Sequence, residues 1–343
     1  AALNNRLTGS FDYFIRKTED MMGPGIELPA ALGTNVPPTN NTDMKTYGWE
    51  LQIGWRDQIG DFKYGAKLSL SDSQSKILRY GNPTGSLSKY VEGYLIGNIY
   101  GYTTIGIAKT DEEMQQHLAS LPNGGQSALG SQWAAGDIMY ADLNGDGKIN
   151  NGSYTINDMG DMKKIGNSTP RFMTGINLDA AYKGWDLQMF WQGVLKRDWW
   201  PGDKNMTFWG VTDGEWWSTS FKEHLDYFRT SENPLGENLN SYYLRPIFNT
   251  KNNKSQTRYL QNAAYMRLKN IQVGYTFPKV WINKLMLQNL RIFVSGENLL
   301  TITSLSDTMD PETCGAGYQS TEQANGTVYP LAKTISFGLS VNF

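Results

Sequence analysis

Apolar and polar positions alternate with a period of two along much of the chain, the spacing of a strand with one apolar face. Trp49, Leu51, Ile53 and Trp55 fall on one side, and Glu50, Gln52, Gly54 and Arg56 on the other. After Ile59-Gly60-Asp61 the pattern resumes, with Phe62, Tyr64, Ala66, Leu68 and Leu70 set against Lys63, Gly65, Lys67, Ser69 and Ser71. Two such runs around a short turn predict a hairpin. A second hairpin reads Phe172, Thr174, Ile176, Leu178, Ala180 and Tyr182, turns at Lys183-Gly184, and returns through Trp185, Leu187, Met189 and Trp191. Further strands are expected over Leu7 to Lys17, Tyr265 to Phe277, Leu290 to Leu300 and Leu331 to Phe343. One helix is expected over Asp111 to Leu121, with Thr110 as N-cap and Glu113 three residues on.

The connections between these eight strands run long, short, long, short, long, short, long, the parity of an outer-membrane barrel with long loops outside and short turns in the periplasm. The fold class expected is all-β, a transmembrane antiparallel β-barrel of which about eight strands are present, with long extracellular loops and a periplasmic C-terminus. The rival is a secreted β-rich domain, glycan-binding or glycan-hydrolysing, which can be equally aromatic and Gly-rich. Strand lengths of about 9–11 residues, enough to cross a bilayer at a tilt, weigh against it. So do aromatics gathered near strand ends, and a second face rich in Lys, Asp, Gln, Asn and Ser that suits a water-filled lumen.

Composition narrows the choice without making it. Among 343 residues, 31 basic and 33 acidic side chains leave a net charge of −2, which gives no reason to expect a nucleic-acid partner. Cys314 is the only cysteine, so a disulfide scaffold and a Cys-based zinc cluster are both excluded. No apolar run is long enough for a membrane helix, but barrel strands are only half apolar. The first residue is Ala1, not Met, and the chain reads as a processed or partial product.

An ordered set of motifs carries a resemblance. It runs through Leu3-Asn4-Asn5-Arg6-Leu7, Asp142 to Asn150, Ile165-Gly166-Asn167-Ser168-Thr169-Pro170-Arg171-Phe172 and Tyr182-Lys183-Gly184-Trp185-Asp186-Leu187. It continues through Tyr265 to Ile271, Gly274-Tyr275-Thr276-Phe277-Pro278, Gly296-Glu297-Asn298-Leu299-Leu300 and the final Phe343. This succession resembles the C-terminal part of the SusC/RagA family of TonB-dependent outer-membrane transporters. The resemblance implies that residues 1–343 are the last portion of a larger barrel, with the plug and the TonB-contacting segment outside this chain. It implies energy-coupled import of a glycan or peptide, not catalysis, with TonB, outer-membrane lipid and a SusD-like surface lipoprotein as partners.

Asp142-x-Asn144-x-Asp146-Gly147 is the sharpest chemical signal, because oxygen ligands at the first, third and fifth places and Gly at the sixth suit a hard cation. Lys148 would give its backbone carbonyl; the twelfth place, which needs a carboxylate, is Ser153. The family resemblance assigns that role to Asp161, with Asp158 as a competing ligand and a structural Ca²⁺ as the ion. The alternative is an Asp/Asn/Gly turn without an ion. In the segment from Lys196 to Ala263, Trp199, Trp200, Trp209, Trp216, Trp217, Tyr242 and Tyr243 offer flat rings that can stack on sugars. Trp199 and Trp209 are the substrate contacts expected, with Asp203 and Asp213 as polar partners; packing of the loop on itself is the plainer alternative. Lys63, Lys67, Asp179, Asp186, Gln188, Arg291 and Glu297 are expected on the lumen face. His117 and His224 lack ligand or triad spacing and are expected on solvated surface, and no catalytic residue is assigned.

Overall fold

The computed structural model describes residues 2–25, 33, 36–213, 220–315 and 328–343. Among them, eight strands form one antiparallel sheet in the order of the sequence. They are β1 (Leu7–Gly23), β2 (Thr39–Ile59), β3 (Phe62–Arg79), β4 (Arg171–Tyr182), β5 (Trp185–Lys196), β6 (Tyr265–Thr276), β7 (Asn289–Thr303) and β8 (Thr334–Asn342). The sheet does not close on itself: β1 and β8 are its outer strands. Every expected strand is present and the connections alternate in length as expected. Several strands are longer than the alternation indicated, most of all β1, which runs on to Gly23, β2, which begins at Thr39, and β3, which runs to Arg79.

Register carries the alternation from strand to strand. Leu51 lies between Phe11 of β1 and Leu70 of β3. Ile53 faces Leu68, Leu68 faces Ile176, and Ile176 faces Trp191. A third row runs Ala180, Leu187, Val273, Val294 and Phe337 across five strands. One residue breaks the period in β6. The register against β5 slips between Leu268 and Asn270, leaving Lys269 as the extra residue of a bulge. The slip keeps both Leu268 and Ile271 opposite apolar partners, Trp191 and Met189. It also sends Arg267 to the other face, where it meets Asp310 and Glu312 at 2.8 Å each, while Lys269 reaches Glu312 at 3.0 Å.

The closed hydrophobic core lies outside the sheet. It is built from the long connections, with Tyr102, Met114, Ile138, Tyr140, Trp199, Phe208, Trp209, Tyr259 and Met309 all buried in one cluster. Short ladders brace this lobe: Asn98–Tyr102 on Met162–Asn167, Thr104–Ile107 on Ile138–Tyr140, and Asp198–Trp199 on Gln261–Asn262. The helix α1 (Asp111–Ala119) packs buried Met114 into the cluster, and the Thr110 side chain accepts the Glu113 N–H as its cap. Asp137 joins two connections, accepting from Arg245 at 2.7 Å, Lys251 at 2.8 Å and Asn252 at 2.9 Å. Burial alone would raise the Asp137 carboxyl; these donors outweigh it and hold the group below its ordinary value. No helix among the described residues is long and apolar enough to cross a membrane, which says nothing of strands.

Candidate functional site

The two faces of the sheet differ in chemistry over their whole width. On the polar face, one row reads Gly65, Asp179, Gln188, Gln272, Ser295 and Ser336 from β3 to β8. Lys67 stands opposite Gly54 and Asn177. Asp186 and Arg291 sit on strands that are not neighbours, yet their side chains meet at 2.5 and 3.1 Å. They meet over Gly274 of the strand between; a Cβ there would come within 2.4 Å of Arg291 Nη2 and 2.6 Å of Asp186 Oδ2. Lys63 and Glu297 share the parity of these residues, so all seven expected lumen positions fall on one face.

The opposite face is apolar and open. Phe11, Ile15, Leu178, Val273, Val294, Ile335 and Leu339 are exposed, and Phe337 is 81% exposed. At the end of the sheet carrying the short turns, aromatic rings gather. Phe62 lies 5.6 Å from Tyr64 and 6.4 Å from Tyr182, while Tyr275 lies 4.9 Å from Trp185 and 5.0 Å from Phe277. An apolar band bordered by aromatic rings is the pattern of a strand surface facing lipid.

The structure corrects the expected substrate contacts. Trp199 is 3% exposed and Trp209 is 0% exposed, each edge-on to Phe208. A ring closed off from solvent cannot stack on a solute; these two hold the lobe together. Asp213 is buried as well, and Asp203, only partly exposed, pairs with Lys254 at 3.3 Å. Trp216 and Trp217 lie outside the described residues. His224 is another correction. It is 1% exposed, accepting the Phe221 N–H at Nδ1 and lying 3.1 Å from the Phe208 carbonyl at Nε2. An accepting Nδ1 makes Nε2 the protonated nitrogen, so His224 is neutral and donates to Phe208. His117 is half-buried against Gln126 at 3.1 Å.

The Asp-rich loop gathers some of its expected ligands and not others. Asp142 accepts from the N–H groups of Gly145 at 2.6 Å and Gly147 at 2.8 Å, and Gly147 has the positive φ of 77° that the turn requires. Asp161, fully buried, accepts from Leu143 and Asn150 at 2.9 and 2.8 Å. Burial and the neighbouring Asp142 charge push the Asp161 carboxyl above its ordinary value. Asp158 belongs to a separate turn, bonded to Ser153 and Gly160. Asp146 turns its carboxylate toward the Lys148 N–H and the Asn144 amide. Among the described residues no three His, Cys, Asp or Glu side chains converge to hold a metal by themselves. Asp142 and Asp161 are the two carboxylates of the loop that the structure brings into contact.

Sequence reasoning passed over one feature. Tyr80, Tyr90, Tyr94 and Tyr100 line a solvent-open cavity of about 410 Å³ beside the end of β3. The density of tyrosine between residues 80 and 102 was its only signal.

No family model matches the chain. It is 28% identical over 365 residues to TonB-dependent receptor P3 of Formosa agariphila, an alignment covering 100% of this chain and 33% of that protein. It is 23% identical to TonB-dependent receptor SusC of Bacteroides thetaiotaomicron, over 99% of this chain and 30% of that one. Among solved structures, the RagAB peptide transporter matches 99% of this chain and 34% of its own at a TM-score of 0.64 and 20% identity. The RagAB peptide importer in its open-open state gives a TM-score of 0.65. The chain thus spans about a third of the curated relatives it matches. Over its full length the chain is similar in sequence to TonB-dependent receptors, SusC among them, and in fold its eight-stranded sheet matches part of the RagAB transporter structures.

Proposed function

We propose that residues 1–343 form the C-terminal barrel portion of an outer-membrane importer that takes up a glycan or peptide nutrient with energy delivered through TonB. The observation that carries this reading is the two-faced sheet: an apolar, aromatic-bordered face for lipid, and a continuous polar face for a water-filled route. The polar row of Asp179, Gln188 and Gln272 and the Asp186–Arg291 pair line that route. The short turns and the C-terminus lie in the periplasm, and the lobe of long connections stands outside the cell. There a SusD-like surface lipoprotein pairs with it and closes over the vestibule. The relatives' names support the direction of this reading, since they are TonB-dependent receptors and a peptide transporter.

Expression of the whole protein in an outer membrane tests it. The expected result is a heat-modifiable membrane species, uptake of labelled oligosaccharide or peptide that stops when TonB is removed, and co-purification of a surface lipoprotein. Uptake that survives removal of TonB would sink the reading.

We propose also that the loop from Asp142 to Asp161 holds a structural Ca²⁺. Its support is a buried carboxylate set beside a second one, a repulsion that a divalent cation relieves. Calcium is expected to raise the melting temperature of the wild-type lobe, and Asp161→Asn to remove that increment. A wild-type lobe that melts identically in calcium and in chelator counts against the ion.

A further inference from the structure

We infer that the tyrosine-lined cavity of the 80–100 segment binds a pyranose ring, and so gives an incoming glycan its first seat on the polar face. The inference rests on the import reading above and names a site and a ligand class for it.

Three observations carry it. The first is the shape and chemistry of the walls. At about 410 Å³ the cavity falls within the roughly 300–1,000 Å³ typical of small-ligand sites. The rings of Tyr80 and Tyr90 stand 5.3 Å apart at 81°, forming a corner, and Tyr90 is 50% exposed. Tyr80, Tyr94 and Tyr100 are half-buried, so these rings are reachable, unlike Trp199 and Trp209. A tyrosine is an apolar plate with a hydroxyl on its rim. A pyranose has the complementary build, with an apolar C–H face and hydroxyls around its edge. Ser88, Lys89 and Asn98 add polar groups to the lining.

The second observation is preorganisation, which lowers the ordering cost of binding. The Asn82 side chain donates to the carbonyls of Ser86 at 2.9 Å and Tyr90 at 3.0 Å, fixing the approach to Tyr90. Glu92 accepts the Tyr80 N–H at 3.0 Å. Tyr94 and Ile96 are tied to β3 by Ile77 N–H to Tyr94 O at 3.0 Å and Ile96 N–H to Ser75 O at 2.9 Å.

The third is position. Lys67, Ser69, Ser71, Ser73 and Ser75 follow one another on the polar face of β3, and Ile77, which lines the cavity, is next in that row. A sugar released from the cavity meets a stripe of hydroxyls leading along the lumen.

The test uses the whole transporter in detergent, titrated calorimetrically with maltohexaose, cellohexaose and laminarihexaose, and with a tryptic casein digest as the competing class. At least one saccharide is expected to bind. Tyr90→Ala should weaken it about tenfold, equivalent to roughly 1.4 kcal/mol, while Tyr90→Phe, which keeps the ring, stays near wild type. Heat-modifiable mobility of each variant verifies that the barrel has folded. Saccharide binding unchanged in Tyr90→Ala, or no saccharide bound at all, overturns the inference. Peptide binding that Tyr90→Ala abolishes also overturns the pyranose assignment. TonB-dependent uptake of the same probes, scored in parallel, separates the two readings. Uptake indifferent to Tyr90→Ala removes the cavity and leaves import standing, whereas uptake indifferent to TonB removes import whatever the cavity binds.

Discussion

Phe337 in the sheet and Trp209 in the lobe are both large aromatic side chains, yet the first is 81% exposed and the second 0%. The lobe buries its apolar groups against one another, as a water-soluble domain does: Trp209 meets Phe208 and Tyr259 at 4.8 Å each. The sheet keeps its apolar groups outward in continuous rows and holds its strands together by backbone pairing and cross-strand contact. Apolar rows of that extent mark a face built to be covered, and on the import reading proposed above the cover is lipid. On that reading the same chain meets two solvents, lipid at the sheet and water at the lobe. A substitution should be read by which of the two its side chain meets.

Trp209→Ala should give the largest effect, since emptying a closed aromatic core costs about 3–5 kcal/mol. The expected outcome is rapid proteolysis within the lobe while heat-modifiable mobility persists. Loss of both together would mean that sheet and lobe fold as one unit. Val273→Arg comes next. Val273 faces Leu187 and Val294 in the apolar band just inside the aromatic border at Tyr275, so a charge there costs between the roughly 0–1 kcal/mol of the interface and the roughly 2–4 kcal/mol of mid-membrane. Gln188→Arg, on the polar face beside Asp179 and Gln272, should leave stability in lipid vesicles nearly unchanged. Equal losses from the two would erase the distinction between the faces.

The sheet was legible because its signal is local. Alternation and short turns at Gly60 and Gly184 set the number, order and register parity of the strands. Where both faces turn polar the signal fades: Ser71, Ser73 and Ser75 alternate with Asp72, Gln74 and Lys76, so the upper half of β3 went unread. The bulge at Lys269 left no mark, since it is a property of the β5 register. The lobe was hidden for a different reason. Its contacts join distant residues, as Asp137 joins Arg245 across 108 positions, and aromatic content does not tell a stacking platform from a core. Trp199, Trp209 and His224 were misread on that account. Asp142 and Asp161 lie together, but only the family resemblance pointed to Asp161 over Asp158.

His224 sharpens the comparison through pH. Burial holds its imidazole below the ordinary histidine value of 6.5. The unfolded lobe therefore binds a proton first as pH falls, and the folded lobe must lose the Phe221 N–H bond to Nδ1 before it can follow. The stabilisation is fully present above pH 6.5 and declines as pH drops below it toward the folded-state value. Proteolysis of the lobe should quicken over that acid window and the sheet should not respond. A His224→Gln variant should lose the larger, fully buried share of that dependence, the half-buried His117 keeping its own, and a dependence unchanged by the substitution would assign it to another group.

The smallest effect expected is at Thr110. Its hydroxyl accepts the Glu113 N–H at 3.2 Å, and the Glu113 carboxylate returns to the Lys109 N–H at 2.6 Å, one residue short of the N-cap itself. Thr110→Ala removes the first bond and leaves the second, so a loss of about 1 kcal/mol is expected. Thr110→Asp, which restores an acceptor at the positive end of the helix, should recover it. Because α1 carries Met114 into the lobe core, the loss should appear in lobe proteolysis and leave the sheet untouched. A loss as large as that of Trp209→Ala would mean that the cap positions the whole lobe; no loss at all would mean that packing of Met114 alone holds the helix in place.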